Sequence, residues 1–354
     1  MNRTLTVLLF SLIFFSPVLS FNKSVKLLSP QESIVFDTIP YMVNDYHFNA
    51  SYEELSKMFD GAIPYDLKRA EFLLENAFYD GKMDYNEYCH VIDSIVNVLG
   101  RFILINNISQ YKTAPNFAIF EYMTKPSIMN GFRRFSYDFN DPFGQNNFSS
   151  FFTTKLINTH TGQCSSLSVF YKILCDELGG HSALALGPLH VYIKHIGEDG
   201  KWVNVELTNG SFTRDVWLIE SMDVSTEAIR NGIFLCALNK KETIAYMMML
   251  LAQAYQHKYN SYDQFVSQCI DKVINALPNF TPALTLKMNY HQTQGLNYIE
   301  KYGYLISDFG DYHHIQYHSV ISRLDSLGFS QSTPEEYNNT IKETQELHQK
   351  SQHE

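Results

Sequence analysis

Three residues of the kind that carry acyl-transfer chemistry follow one another in mid-chain: Cys164, His190 and Glu206. Cys164 comes directly after the small polar turn Thr161-Gly162-Gln163 and opens the amphipathic stretch 164–178, whose stripe is Leu167, Phe170, Tyr171, Leu174 and Leu178. The first turn of a helix carries unpaired N–H groups and the positive end of the macrodipole, and a thiolate is stabilised there. Thr161 or Gly162 is expected to cap the turn, and Gly162 to leave room for a substrate near the backbone. Cys175 lies further along the same helix face, deep in the apolar stretch, and reads as a core residue.

A cysteine nucleophile needs a base. The segment 181–212 alternates and contains the turn Glu198-Asp199-Gly200, so it predicts a β-hairpin with strands near 189–196 and 201–208. Val191 and Ile193 share one face of the first strand; His190, Tyr192 and Lys194 share the other. Val203, Val205 and Leu207 face away from Trp202, Asn204, Glu206 and Thr208. Burying the two apolar sets together puts His190 and Glu206 on one face. A three-residue loop with Gly200 at positive φ sets His190 opposite Thr208 and diagonal to Glu206, about 7–8 Å between backbones. A tighter Asp199-Gly200 turn would bring Asn209 opposite His190, so Asn209 is the alternative third member. Thiol, imidazole and carboxylate so arranged are the parts of a nucleophilic triad. The plainer reading makes His190 a satisfied strand residue and Glu206 a solvated one. His160 precedes the turn and is a lesser alternative base; His195 faces the apolar side or the strand end and takes no role.

The elements that must hold these groups are legible in outline. Residues 64–105 predict two helices, separated at Asp80-Gly81, with Cys89 packed on the second. The segment 125–155, rich in Asn, Ser, Gly and aromatics, predicts a long ordered loop with short elements. Gly179-Gly180 ends the helix that Cys164 begins. Helices return over 241–257, 262–276 and roughly 283–301, with a polar tail from 331. "LLAQAY" followed by "CIDKVINALPNFTPAL" has the character of a tetratricopeptide-like (TPR-like) helix pair, without most of that motif's small residues.

The N-terminal run "MNRTLTVLLFSLIFFSPVLSFN" has Arg3, an apolar stretch from Leu5 to Phe15 and small residues near Ser20, the pattern of a secretory signal peptide. The run is short for a membrane span, and no later segment is expected to have the length. Of 354 residues, 26 are Phe and 23 Tyr, ample for real cores. A net charge of −10 disfavours a nucleic-acid surface. Five cysteines (89, 164, 175, 236 and 269) cannot all pair within one chain, so this is not a disulfide scaffold, and their spacing implies no paired-cysteine metal site.

"GQCSSL…LGG", "GPLHVYI" and "WVNVELTNG", in that order, resemble the core of the transglutaminase-like superfamily over about 135–215, and "FSYDFNDPFG" and "KRAEFLLENAFYDGKMDYNEY" resemble bacterial exported members. The resemblance implies an α+β, papain-like core in which a helix packs on an antiparallel sheet. By position Cys164 would be the nucleophile, His190 the base and then acid, and Glu206 the orienting residue, where the family more often has aspartate. The Cys164 N–H is the natural oxyanion donor, with the side chain of Gln163 or Asn158 as a second.

The expected layout is a signal peptide over 1–20, an N-terminal helical region over 21–105, a catalytic domain over 106–238, a helical TPR-like region over 239–330 and a tail over 331–354. The expected activity is cysteine-dependent acyl transfer, most simply hydrolysis of a peptide or protein amide, in an exported (periplasmic or secreted) protein. It needs no cofactor and no metal, binds no nucleic acid and spans no membrane after signal cleavage. The other expectation is a non-catalytic binding protein whose C-terminal helices dock a protein partner.

Overall fold

Helix starts follow the acidic caps that the sequence supplies. Asp45, Asp66 and Asp84 each accept first-turn N–H groups of the helix that follows: α1 (Tyr46–Phe59), α2 (Leu67–Phe78) and α3 (Tyr85–Ile105). Past the end of α2, Asp80 and Gly81 both take positive φ, as their pairing predicts. The computed structural model describes residues 45–303, 308–330 and 342. The expected signal peptide lies outside the described residues, as does all but one position of the expected tail.

The expectation that no later segment has the length of a membrane span is corrected by α3. It has 21 residues and a mean hydropathy of 1.5 over its most apolar window, so by length and composition alone it qualifies. In the fold it packs through Tyr88, Ile92, Leu99 and Ile103, while Val91, Val98, Leu104 and Ile105 are exposed.

After α4 (Ala114–Thr124), the segment expected as a long ordered loop holds two 3-10 turns, strand β1 (Ser136–Tyr137) and the start of α5 (Thr153–Thr159). β1 pairs in parallel with β2 (Thr161–Gly162), immediately before α6 (Cys164–Glu177). The expected hairpin forms the centre of a four-stranded antiparallel sheet: β3 (Ser182–Gly187), β4 (His190–Ile196), β5 (Trp202–Glu206) and β6 (Ser211–Thr213), in that order. β3 and β6 are additions to the sequence reading. α6 packs on β3 and β4, and the Ser168 hydroxyl donates to the Val191 carbonyl at 3.2 Å. After the short helices α7 (Asp215–Ser221) and α8 (Thr226–Arg230), the chain returns along the edge of β3. There the N–H groups of Leu235 and Leu238 donate to the carbonyls of Leu186 and Leu184.

Four long helices follow: α9 (Lys240–Tyr259), α10 (Gln264–Ala276), α11 (Thr281–Tyr302) and α12 (Asp308–Ser326). Every residue of α9 from Thr243 to Tyr255 is buried. A helix without a polar face over that length can only stand inside a core, and α9 packs against α1, α2, α10 and α11. One apolar cluster runs from Phe48 to Leu327. No break in packing marks the expected boundaries at 105 and 239. The fold is thus α+β, with helices and a small antiparallel sheet sharing one core.

α11 and α12 are joined by a buried histidine pair, His291 Nδ1 to His313 Nδ1 at 2.9 Å. Burial, then His313 and Lys287, push His291 down to about 4; burial pushes His313 down to about 4 as well. The unfolded chain protonates these rings near pH 6.5, so between pH 6.5 and 4 it binds more protons than the folded one, and stability is lost as the pH is lowered through that window. Thermal melting followed by circular dichroism should show a drop in Tm across that window. The drop should be smaller in His313→Asn, which keeps a hydrogen-bonding partner for His291 and removes one titrating ring.

Candidate active site

The turn before α6 is built to hold its first residue still. Gln163, not Thr161 or Gly162, is the N-cap, with extended backbone. Its N–H donates to the Ser150 carbonyl at 3.0 Å and to Ser166 Oγ at 2.9 Å. Ser166 Oγ in turn donates to the Ser150 carbonyl at 2.8 Å. A Cβ on Gly162 would stand 2.4 Å from Ser166 Oγ and 3.0 Å from Leu156 Cδ1. The glycine therefore makes room for the protein's own turn, and the expected substrate space is filled. The Gln163 amide Nε2 donates to the Asp141 carbonyl. The Asp141 carboxylate collects the N–H groups of Gln145, Asn146 and Asn147, so the loop and the helix start are one assembly.

His190 enters from a tight turn. Gly187 pairs with His190, leaving Pro188 and Leu189 as the two turn residues, and Leu189 sits at φ +53°. Proline at the first and positive φ at the second position is the type II pattern. A leucine there is strained, and such strain next to a reactive group persists only when the surroundings enforce it.

The β4–β5 register pairs Ile193 with Val205 and Lys194 with Asn204. Extended by three residues, it sets His190 across from Thr208, as the three-residue loop predicts; Gly200 has φ +79°. His190 Nε2 meets Glu206 Oε2 at 2.6 Å. The other carboxylate oxygen accepts from the Thr208 N–H at 3.0 Å and the Thr208 hydroxyl at 2.8 Å. Asn209 takes no part in this contact: its Oδ1 accepts from Ser211 Oγ at 2.6 Å.

Cys164 and His190 stand in the wall of one cavity. With Nε2 held by Glu206, Nδ1 is the nitrogen left for the sulfur. Burial opposes a charge on His190, but the Glu206 carboxylate and the Cys164 sulfur outweigh it and push the ring up to about 10. Burial would raise Glu206, yet His190 and the two Thr208 donors hold it below the usual carboxyl range. At neutral pH the pair is imidazolium and carboxylate.

Of the suggested second oxyanion donors, Gln163 has its amide N–H engaged by Asp141, and Asn158 is exposed on α5. His160 is not brought to the thiol: Nδ1 donates to the Arg133 carbonyl at 2.7 Å and the ring stacks on Phe135. His195 is buried beside Phe212. Cys175 is buried, and burial raises its thiol to about 11. All five cysteines are unpaired. Among the described residues, no group of three or more His, Cys, Asp or Glu side chains is arranged to hold a metal ion.

Cys164 and His190 line a cavity of about 40 Å³. Its walls include Leu186, Val191 and Phe234, with Tyr246 and Gln253 from α9. The α9 residues were missed by sequence reasoning. Their spacing of seven puts them on one face, two turns apart, but no local pattern says which part of the core that face meets. No family model, no curated protein and no solved structure matches the chain.

Two outcomes follow. Glu206→Gln removes the charge that sustains the imidazolium, so the His190 midpoint, read by NMR titration of labelled histidine, should fall from about 10 toward the ordinary 6.5. Gly162→Ala forces Ser166 from its paired rotamer and should cost about 1–3 kcal/mol in denaturant unfolding.

Proposed function

We propose that this chain is an exported, cysteine-dependent acyl-transfer enzyme with a transglutaminase-like, papain-type core, acting as an amide hydrolase on peptides or proteins. The observation that carries the reading is the buried contact of His190 with Glu206, with Cys164 at a helix start and in the wall of the same cavity as that ring. The chain order and the packing of α6 on β3 and β4 support the family likeness. Glutamate in place of the commoner aspartate is accounted for by its diagonal position, which the longer side chain spans.

In the first half-reaction, Cys164 Sγ attacks the amide carbonyl carbon and a C–S bond forms. The oxyanion is met by the Cys164 N–H, one of the first-turn amides that a helix leaves without an internal acceptor. The imidazolium gives its proton to the departing nitrogen as the C–N bond breaks, leaving a thioester and an amine. Water then attacks the thioester while His190 takes its proton. The C–S bond breaks, releasing a carboxylic acid and restoring the thiolate–imidazolium pair. Glu206 keeps the ring oriented and its charge favourable throughout.

A scaffold whose C-terminal helices dock a partner has less support, because α9 and α11 contribute to the cavity wall. In that reading the thiol would have no enhanced reactivity. Iodoacetamide at pH 6 should alkylate Cys164 at least tenfold faster than the exposed Cys236, as mapped by mass spectrometry of the reduced protein. Cys164→Ser should keep the wild-type melting temperature and lose all cleavage of a mixed peptide library. Labelling of Cys164 no faster than Cys236, or undiminished cleavage by the serine variant, would sink the proposal.

A further inference from the structure

The cavity beside Cys164 is almost wholly apolar, yet a glutamine is buried in its wall. Gln253 is 2 % exposed, and its Oε1 has no hydrogen-bond partner. A buried amide oxygen left unpaired is costly, and such groups are rare unless water or a ligand completes them. Leu186, Leu189, Val191 and Phe234 offer no donor from their side chains; of the hydroxyls in the lining, Tyr246 donates to Ser165 Oγ at 3.0 Å and Thr285 to the Thr281 carbonyl at 2.7 Å, and none donates to Gln253 Oε1. The space of about 40 Å³ compares with about 10–15 Å³ needed by one water. It therefore accepts about three water-sized atoms, which suits an isopropyl group.

We infer that this cavity is the subsite for the residue on the acyl side of the scissile bond, that it takes a short aliphatic side chain such as valine, and that Gln253 Oε1 accepts the backbone N–H of that residue. The inference rests on Cys164 being the nucleophile, since the thiol and imidazole form one wall of the cavity. It gives the glutamine a purpose that packing does not: leucine or methionine would fill the same volume without an unpaired oxygen. It also makes the acyl side the selective one. A substrate must carry an N–H donor and a small branched side chain together, so the substrate class is peptides rather than simple acyl amides.

N-acetyl-valine chloromethyl ketone serves as the probe. The Cys164 sulfur displaces chloride, so a C–S bond forms as the C–Cl bond breaks. Three reagents are compared by the rate of Cys164 adduct formation: the valine ketone, its phenylalanine counterpart, and a valine analogue with oxygen in place of the N–H. Iodoacetamide is the reference for the thiol itself. The valine ketone should react at least tenfold faster than either of the other two on the wild-type chain. In Gln253→Met the valine ketone should slow to the rate of the oxygen analogue, with iodoacetamide labelling unchanged.

Equal rates for the valine and phenylalanine ketones, or for the N–H and oxygen compounds, would overturn the subsite even if the variant failed to fold. Slow iodoacetamide labelling of wild-type Cys164 would instead overturn the nucleophile beneath it, so the two failures read differently.

Discussion

The contact between His190 and Glu206 is the constraint around which the centre of the molecule is arranged. A carboxylate that is 3 % exposed pays heavily for leaving water unless every lone pair is met. Here one oxygen meets the imidazole and the other takes both donors of Thr208. Because Thr208 follows Glu206 by two residues, the bonds that satisfy the carboxylate also shape the chain as it leaves β5. The pair thereby depends on register: a slip of one residue between β4 and β5 would send Glu206 to the other face of the sheet. The Gly197–Lys201 turn, closed by backbone bonds of 2.8 and 3.0 Å, fixes that register from the far end of the hairpin.

Placing the sulfur is a separate problem, solved by a different set of bonds. The carbonyls of Ser150 and Asp141 come from the long loop, and both are met by groups from the turn that precedes α6. The parallel β1–β2 pair adds backbone bonds between the same two segments. Sulfur and imidazole thus come to the wall of one cavity from independently fixed supports, α6 and the hairpin. Ser168, one turn into the helix, bonds the carbonyl of Val191, next to the histidine. That single side chain ties the two supports together within a residue of His190.

What the sequence discloses about this arrangement is what short-range patterns encode. The hairpin register follows from alternation and from one glycine at positive φ, so the choice of Glu206 over Asn209 is legible. The start and stop of α6 are legible for the same reason. The cap is misread because Thr161 and Gly162 look like capping residues by type, whereas the parallel pairing of β1 with β2 commits them to extended backbone and shifts the cap to Gln163. Proximity in sequence also does not disclose that Gln163, suggested as a second oxyanion donor, gives an amide N–H to the Asp141 carbonyl. Tyr246 and Gln253 reach the cavity only through the packing of α9, a long-range event without local signature. Even there a hint exists, since "TIAYMMMLLAQAY" has no polar face and must stand within a core.

The N-terminal helices are equally part of the site's support, through an unusual cap. α5 has no side-chain cap of its own, and its first N–H groups, those of Thr153 and Thr154, are accepted by Glu71 and Glu75 on α2. Both carboxyls are fully buried, and Glu71 Oε2 has no hydrogen-bond partner among the described residues. Burial, followed by the neighbouring Glu75, raises Glu71 well above the carboxyl range; burial raises Glu75 too. Acidic groups are favoured at the positive end of a helix, which offsets part of the cost of burying them at the start of α5. The C-terminal end of α5 leads straight into Thr161, Gly162 and the thiol. A unit cut at residue 105 would strip α5 of its cap and loosen the chain that positions Cys164, so the helices before that point support the same candidate site.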